Sequence, residues 1–529
     1  MKFILRSPYF FLGVLLALLP VILLRDFTPA NELRYLSIAD EAMSHGDIFT
    51  FTNHGIAYAD KPPLYFWIIM FGRWLLGNHY MWFLSLASLI PAFVIIHIMD
   101  KWVAKEINDL GRFTAKFMLM STGLFLALSV TLRMDMLMCM FIVLSLYTFY
   151  KMYTGTNNKL DTFLFPFYIF MALFSKGPIG LLVPLLSTII FLYQKKRIKT
   201  VAFYWGWKTW SILLTGCLIW FAGVYIEDGI GYLSNLLFYQ TIGRSINSFH
   251  HKEAFYYYFI SFWYSLAPWS LLIAGVILSA FKKGVVKTDL ERLFMVIIAV
   301  SFILLSCISS KLAVYLTPVF PFLVYLTILI MQRFTWNRWL ALSLAVPVAC
   351  LSFAFIIPLL PVSFVHIDIL NNSILYVAIG LLSLSAWTAL FLLYGRRKIE
   401  QSIIVLATGL FLSVFVAAWA LPSLNPELGY ADLCAVAKKI GDERHIYKYT
   451  AFRLKRADNM DVFLKHNVDI ATSDSLQNDK YSPSILIIKN SDIKSQGSTR
   501  FLSTILKGKE IHTVGRYSVI VLTNNKQRE

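Results

Sequence analysis

Six basic residues stand singly at the ends of apolar segments. They are Lys61 in ADKPPLYFW, Arg133 in TLRMD, Lys176 in SKGP, Arg244 and Lys252 in GRSINSFHHK, and Lys311 in SSKLAVY. A charge at such a place is costly to keep, so its repetition on one side of the chain points to a shared anionic ligand. Two plainer readings compete. Long side chains can snorkel to an interface, and Arg133 can simply pair with Asp135. Carboxylates accompany the cations. Asp60 precedes Lys61 directly before a Pro-Pro break, which sets an acid and a base side by side on a stiff turn. Glu32, Arg34 and Asp60 all lie in the polar stretch 25–62, where ion pairs in a solvated loop are the alternative. His250 and His251 are adjacent, a poor spacing for a shared metal, and read as surface-loop histidines. The tyrosine run 256–258 reads as an interfacial aromatic belt.

The elements that must position these groups are membrane spans. The chain has 529 residues, 58% hydrophobic and 15% charged, with a mean hydropathy of +0.64. Soluble domains of this size do not have that balance. Apolar runs of about 17–25 residues, each long enough to cross a bilayer, recur as far as Leu421. The net charge of +18 does not indicate nucleic acid. It lies in short loops such as QKKRIK (194–199), FKKGVVK (281–287) and YGRRK (394–398), where anionic lipid is the fitting partner. The five cysteines, Cys139, Cys217, Cys307, Cys350 and Cys434, form no CxxC or paired spacing. Neither a disulfide framework nor a metal site is signalled.

Spans are predicted near 8–24, 80–100, 113–130, 135–152, 161–174, 178–194, 207–226, 255–280, 291–309, 314–331, 336–357, 372–394 and 401–421. The first ends in LLRDF with no small-x-small pattern and reads as a retained anchor. Positive loops stay in the cytoplasm, which places 25–79 outside. The apolar stretch 63–77 is then too short for a crossing and is interrupted by Arg73, so an interfacial helix is expected. The total is about thirteen spans with the C-terminus outside. Within 25–62, Pro29 and Asn31 start a helix with Glu32 in its first turn, and His45-Gly46-Asp47 ends it. The tail is polar and mixed in charge. YADLCAVAKKIG and DNMDVFLKHN read as helices, SILIIK and SVIVLT as buried strands. The expected organisation is a membrane domain over 1–421 and a small α/β domain over 422–529, the latter without a catalytic motif.

Several motifs together resemble a known family. NELRY (31–35), YADKPPLYFW (58–67), RMD (133–135), SKGPIG (175–180), GRS…HHK…YYY (243–258) and SKLxxYLxP (310–318) are similar to motifs of the bacterial protein O-mannosyltransferase superfamily. Within it the likeness is to the lipid A aminoarabinose transferase group. It covers 1–330 in ordered motifs and the remainder in architecture only. The resemblance implies a GT-C glycosyltransferase of the bacterial inner membrane. Its spans would be joined by periplasmic interfacial helices in 25–79, with the C-terminal α/β domain in the periplasm. A sugar would pass from a polyprenyl-phosphate carrier to an envelope acceptor. The family's Lys after the acid puts the carrier phosphate on Lys61, with Arg244 and Lys252 next and Lys311 third. Arg34, Arg133 and Lys176 would hold an acceptor phosphate or shape the cavity. Asp135 and Tyr315 fall inside the same motifs and join the substrate-binding set. Glu32 and Asp60 would orient acceptor or sugar, and an aminosugar would bring a cation for one of them to meet. No metal or other cofactor is implied, the partners are membrane lipids, and a monomer is expected.

One departure matters. The family motif begins Asp-Glu, with its Asp the proposed catalytic acid, whereas this chain has Asn31-Glu32. An amide cannot accept a proton near neutral pH. Either Glu32 or Asp60 takes over as base, or the acceptor is a phosphate monoester that needs none. Asn31, Glu32 and Asp60 therefore stand as the catalytic candidates. A lipid-linked sugar flippase, a transferase to a protein hydroxyl, a ligase-like transferase using a diphosphate-linked donor, and a non-catalytic membrane subunit remain as alternatives. The flippase is disfavoured by the lack of an internal repeat and by charges gathered on one face.

Overall fold

The computed structural model describes residues 7–243, 252–284, 286–334, 336–359, 372–477, 481–494, 502, 505–506 and 508–522. The chain divides into two compact units. The first comprises Met1–Ile22, Tyr58–Ile68 and Trp82–Ala417, the second Leu23–Ala57, Ile69–Met81 and Ala418–Glu529.

The first unit is helical. Its helices begin with α1 (Ser7–Leu24); α2 (Glu32–His45) belongs to the second unit, and α3 (Leu64–Leu76) starts in the first. Then come α4 (Met81–Trp102), α5 (Asp109–Met120), α6 (Gly123–Val130), α7 (Asp135–Thr154), α8 (Asp161–Lys176), α9 (Ile179–Gln194), the short α10 (Val201–Tyr204) and α11 (Trp207–Ser234). Further helices follow up to Ile399–Ala418. Among the described residues, eight helices are long and apolar enough to cross a bilayer, or ten if each of two bent pairs forms one span. The helix Phe320–Met331 is buried along its whole length. Nearby, Phe294 meets Trp102 edge-on at 5.1 Å and Phe322 at 5.3 Å.

Two expected spans are broken. The run 113–130 is α5 and α6 bent by 67°, and 255–280 is Tyr257–Ser265 and Ser270–Ala280 bent by 119°. At the first break Ser121 and Thr122 return their hydroxyls to the carbonyls of Phe117 (2.6 Å) and Met118 (2.8 Å), which competes with the backbone ladder. At the second, Pro268 has no N–H to continue a helix. The breaks hold each other. The Gly123 N–H donates to Ala267 O at 2.8 Å, and the Trp269 indole donates to Ser121 Oγ at 3.0 Å. A Cβ on Gly123 would lie 3.2 Å from that Ala267 oxygen.

The second unit contains α2, which ends where Gly46 takes φ 82°, and a hairpin of β1 (Thr52–Asn53) and β2 (Ile56–Ala57). Its main sheet has five strands, β3 (Tyr449–Phe452), β4 (Val468–Ala471), β5 (Ser484–Lys489), β6 (Ile511–Val514) and β7 (Tyr517–Leu522). They run in the order β4-β3-β5-β7-β6. β3 is parallel to β4 and β5, and β7 is antiparallel to β5 and β6. Phe452, Leu486, Ile488, Leu502 and Ile520 fill one core face. The expected helix at 430–441 is Ala431–Arg444, while DNMDVFLKHN forms only a 3-10 turn and the one-turn helix Asp461–Leu464. The segment after α1 is tied to the tail within this unit. Asn425 donates to Leu24 O at 2.8 Å, and the Ala431 N–H donates to Asp26 at 2.9 Å.

Candidate active site

The site in the first unit is made from helix ends. α8 stops at Lys176 because Gly177 takes φ 111° and Pro178 follows. α7 begins at Asp135, an acid in a first turn where the helix dipole favours it. α3 begins after Pro62-Pro63, which leaves Asp60 and Lys61 on the preceding turn. Tyr315 lies in the 3-10 turn Ala313–Val319.

These ends converge. Lys176 pairs with one oxygen of Asp135, while Arg133 Nε donates to the other at 3.1 Å. The Lys176 ammonium stands 4.3 Å from the Tyr315 ring centroid, within cation–π range. Lys61 Nζ is 3.4 Å from Asp60. Tyr315 feels the charges of Lys61, Asp60, Asp135 and Arg133, and Lys176 feels those of Lys61 and Arg133. A carboxylate as buried as Asp135, 1% exposed, is tolerated only when paired, and here two cations share it. Lys176 is itself only 7% exposed and is committed to Asp135 and Tyr315. Lys61 (18%) and Arg133 (22%) are the accessible cations. Within the cluster Lys61 pairs with Asp60, and Arg133 and Lys176 pair with Asp135.

Lys311 and Lys252 sit together on another contact of this unit. Lys252 bridges Ser310, and the buried Lys311 donates to Glu253 O at 3.0 Å. Lys311 thereby anchors the start of the turn that carries Tyr315. Arg244, His250 and His251 lie outside the described residues.

Asn31, Glu32 and Arg34 belong to the second unit. Asn31 occupies the N-cap position of α2 with no side-chain capping bond, and its carbonyl accepts from Tyr35 N at 3.2 Å. Glu32 is buried and held on both oxygens by Arg25, at 2.6 and 2.8 Å, and it accepts from Thr28 N at 2.7 Å. Arg34 lies over the Tyr35 ring at 5.5 Å. Among the described residues, no group of three or more His, Cys, Asp or Glu side chains is arranged to hold a metal ion.

Sequence reasoning missed several contributors. Arg25 reads only as the cation flanking an apolar anchor. Tyr58 donates to Asp60 at 3.3 Å, although its place in the YADKPP motif was the available signal. Tyr258 corrects the interfacial-belt reading. It is fully buried with Ser261 and Ser265, while Tyr256 is exposed, because the inward face of the helix Tyr257–Ser265 begins at Tyr258.

A bundle of apolar helices with a small mixed sheet is the GT-C fold. The fold matches the crystal structure of ArnT from Cupriavidus metallidurans bound to undecaprenyl phosphate, with a TM-score of 0.75 over 97% of each chain at 16% identity. Relatives in sequence carry the name undecaprenyl phosphate-alpha-4-amino-4-deoxy-L-arabinose arabinosyl transferase. That of Edwardsiella ictaluri (strain 93-146) is 23% identical over 352 residues, 64% of this chain and 62% of that protein. That of Proteus mirabilis (strain HI4320) is 22% identical over 492 residues, 88% of this chain and 82% of that protein. The match spans 62% of the length of the first two curated relatives and 63% of the third. No protein-family model matches the chain.

Proposed function

We propose that this protein transfers a sugar from a polyprenyl-phosphate carrier to a lipid A-like phosphate on the periplasmic face of the bacterial inner membrane. The carrying observation is the convergence of Arg133 and Lys176 on Asp135, with Lys176 against the Tyr315 ring and the Asp60-Lys61 pair within electrostatic reach of Tyr315. An aminosugar is the reading favoured by the names of the relatives.

In this reading the acceptor phosphate oxygen attacks the anomeric carbon. The bond from that carbon to the carrier phosphate oxygen breaks, and the electron pair leaves with the carrier. The departing phosphate goes from one negative charge to two. Cations fixed where that charge grows lower the barrier more than they tighten the ground state. Lys61, 18% exposed, takes the carrier phosphate, and Arg133, 22% exposed, assists it. Asp135 holds Arg133 and Lys176 in place. The prenyl chain lies against apolar helix surface, where each buried methylene contributes about 0.8 kcal/mol. An already ionised phosphate acceptor needs no general base, which accommodates Asn31. The protein acts as a monomer, and neutralisation by side chains leaves turnover intact in a chelator.

The test supplies labelled polyprenyl phosphate-sugar and lipid A to the purified protein in lipid. A mass gain of one sugar on lipid A is expected. Movement of the carrier between leaflets without transfer would overturn the proposal in favour of a flippase.

A further inference from the structure

The helix α11 touches residues beside the cation site twice, once on each side of an internal break. Gly229 takes φ 71° and ψ −165°, a conformation open to glycine without strain. Before the break, Trp220 meets Phe174 edge-on at 5.4 Å, and Phe174 meets Trp67 at 5.2 Å. Phe174 is on α8 two residues before Lys176, and Trp67 is on α3 shortly after Lys61. Beyond the break, the buried Tyr232 donates its hydroxyl to Tyr58 O at 2.9 Å. Tyr58 in turn donates its own hydroxyl to Asp60, the partner of Lys61.

One helix therefore packs edge-on against α8 two residues before its lysine and holds the Asp60-Lys61 turn through a hydrogen bond. A continuous helix would carry residue 232 in another direction, so the Gly229 break is what aims it. We infer that Tyr232, aimed by Gly229, is a positioning residue that holds the Asp60-Lys61 turn in register with Lys176. The inference rests on the transferase reading for its kinetic consequence and on geometry alone for its effect on phosphate binding.

The contribution falls late in the reaction. A carrier phosphate still bonded to sugar has one negative charge, and the departing carrier has two. Misplacing Lys61 by a fraction of an ångström costs most where the charge is greatest. Free polyprenyl phosphate resembles the departing group, so its affinity reports the same placement.

The test uses the full chain in lipid nanodiscs, with Tyr232→Phe, Gly229→Ala and the double variant. Tyr232→Phe removes one hydrogen bond, so kcat should fall about fivefold with the donor KM within about twofold. The affinity for polyprenyl phosphate should weaken by a similar factor, and the unfolding midpoint should stay near that of the wild type. Gly229→Ala should reproduce the losses in kcat and phosphate affinity with a lowered unfolding midpoint, because an alanine is strained at φ 71° and ψ −165°. In the double variant kcat and phosphate affinity should be little worse than in either single one, because both act through one contact. Multiplicative losses in the double variant would overturn the inference. So would unaltered kcat and phosphate affinity in Tyr232→Phe, or a loss that merely follows a reduced folded fraction. If the wild type binds polyprenyl phosphate but transfers nothing, the transferase reading fails. The positioning role is then decided by phosphate affinity, which Tyr232→Phe must still weaken.

Discussion

The guanidinium of Arg25 forks onto both oxygens of the Glu32 carboxylate, at 2.6 and 2.8 Å, inside the second unit. Glu32 is 1% exposed and also accepts the Thr28 N–H. A carboxylate held this way has few lone pairs left for a substrate. The pair instead fixes the entry into α2, whose first residue is Glu32.

That relationship predicts a structural phenotype for Glu32→Gln. The amide keeps the shape but leaves Arg25 without its counter-charge. Breaking a buried pair in this way costs about 3–5 kcal/mol. Chemical or thermal unfolding should show the loss, and Arg25→Ala should show a comparable one. A Glu32→Gln protein that unfolds like the wild type yet transfers nothing would instead assign Glu32 a role in the chemistry.

Lys61→Ala and Lys176→Ala should fail differently. Lys61 is partly exposed, and its ion pair with Asp60 spans 3.4 Å, so its removal should change stability by about 1 kcal/mol or less. Transfer should nevertheless be abolished and polyprenyl phosphate binding greatly weakened. Lys176→Ala leaves the buried Asp135 with Arg133 as its remaining cation among these residues. That variant should be destabilised by about 3 kcal/mol, with activity lost through the fold. Unfolding and phosphate titration on both variants separate the two outcomes. Wild-type turnover in Lys61→Ala would refute the phosphate assignment.

What the sequence made legible was local. His45-Gly46-Asp47 announces the end of α2, and the short apolar runs SILIIK and SVIVLT announce the strands β5 and β7. Such signals depend on a few neighbours and survive any tertiary arrangement. The convergence of Asp135 with Lys176 is not local, because nothing in either motif says which helix ends share a face. The rotation of a helix about its own axis is also set by packing, which is why Tyr258 read as interfacial and proved buried. Pro268 was visible, but an apolar run long enough for one span masked the bend it makes. The grouping of 23–57 and 69–81 with 418–529 depends on contacts such as Asp26 with Ala431, over four hundred residues apart, that leave no periodic trace.

Asp40 makes the second unit sensitive to acid. Burial works against its ionisation. The hydrogen bond and charge of His79, then the charges of Lys465 and Arg73, outweigh it and hold Asp40 below the usual carboxylate range. The His79 contact is 2.8 Å, and Lys465 and Arg73 each stand at 3.4 Å. A folded value below the unfolded one means the ionised carboxylate stabilises at every pH above the ordinary carboxylate range. That contribution is lost as pH falls through the depressed folded value. Asp40→Asn should therefore lower stability near pH 7 by about 1–3 kcal/mol. The gap from the wild type should close in strong acid. Unfolding across a pH series checks the sign, and a gap that widens on acidification would contradict it.

Asn31→Asp decides whether the reaction needs a base. The substitution puts a carboxylate at the N-cap of α2, where a negative charge adds about 0.3–1 kcal/mol of stability. A phosphate monoester has its second ionisation near about pH 6, so it is already nucleophilic at neutral pH. If such a phosphate is the acceptor, the wild-type rate should rise from pH 5 to 7 and then level. Asn31→Asp should leave both that profile and the plateau in place. The restored acid should help only acceptors that must lose a proton, such as a serine or threonine hydroxyl. Parallel assays with lipid A and with a hydroxyl-bearing peptide read the difference. A large gain toward lipid A in Asn31→Asp would mean that a base limits the native reaction, and the acceptor argument drawn from Asn31 would fail.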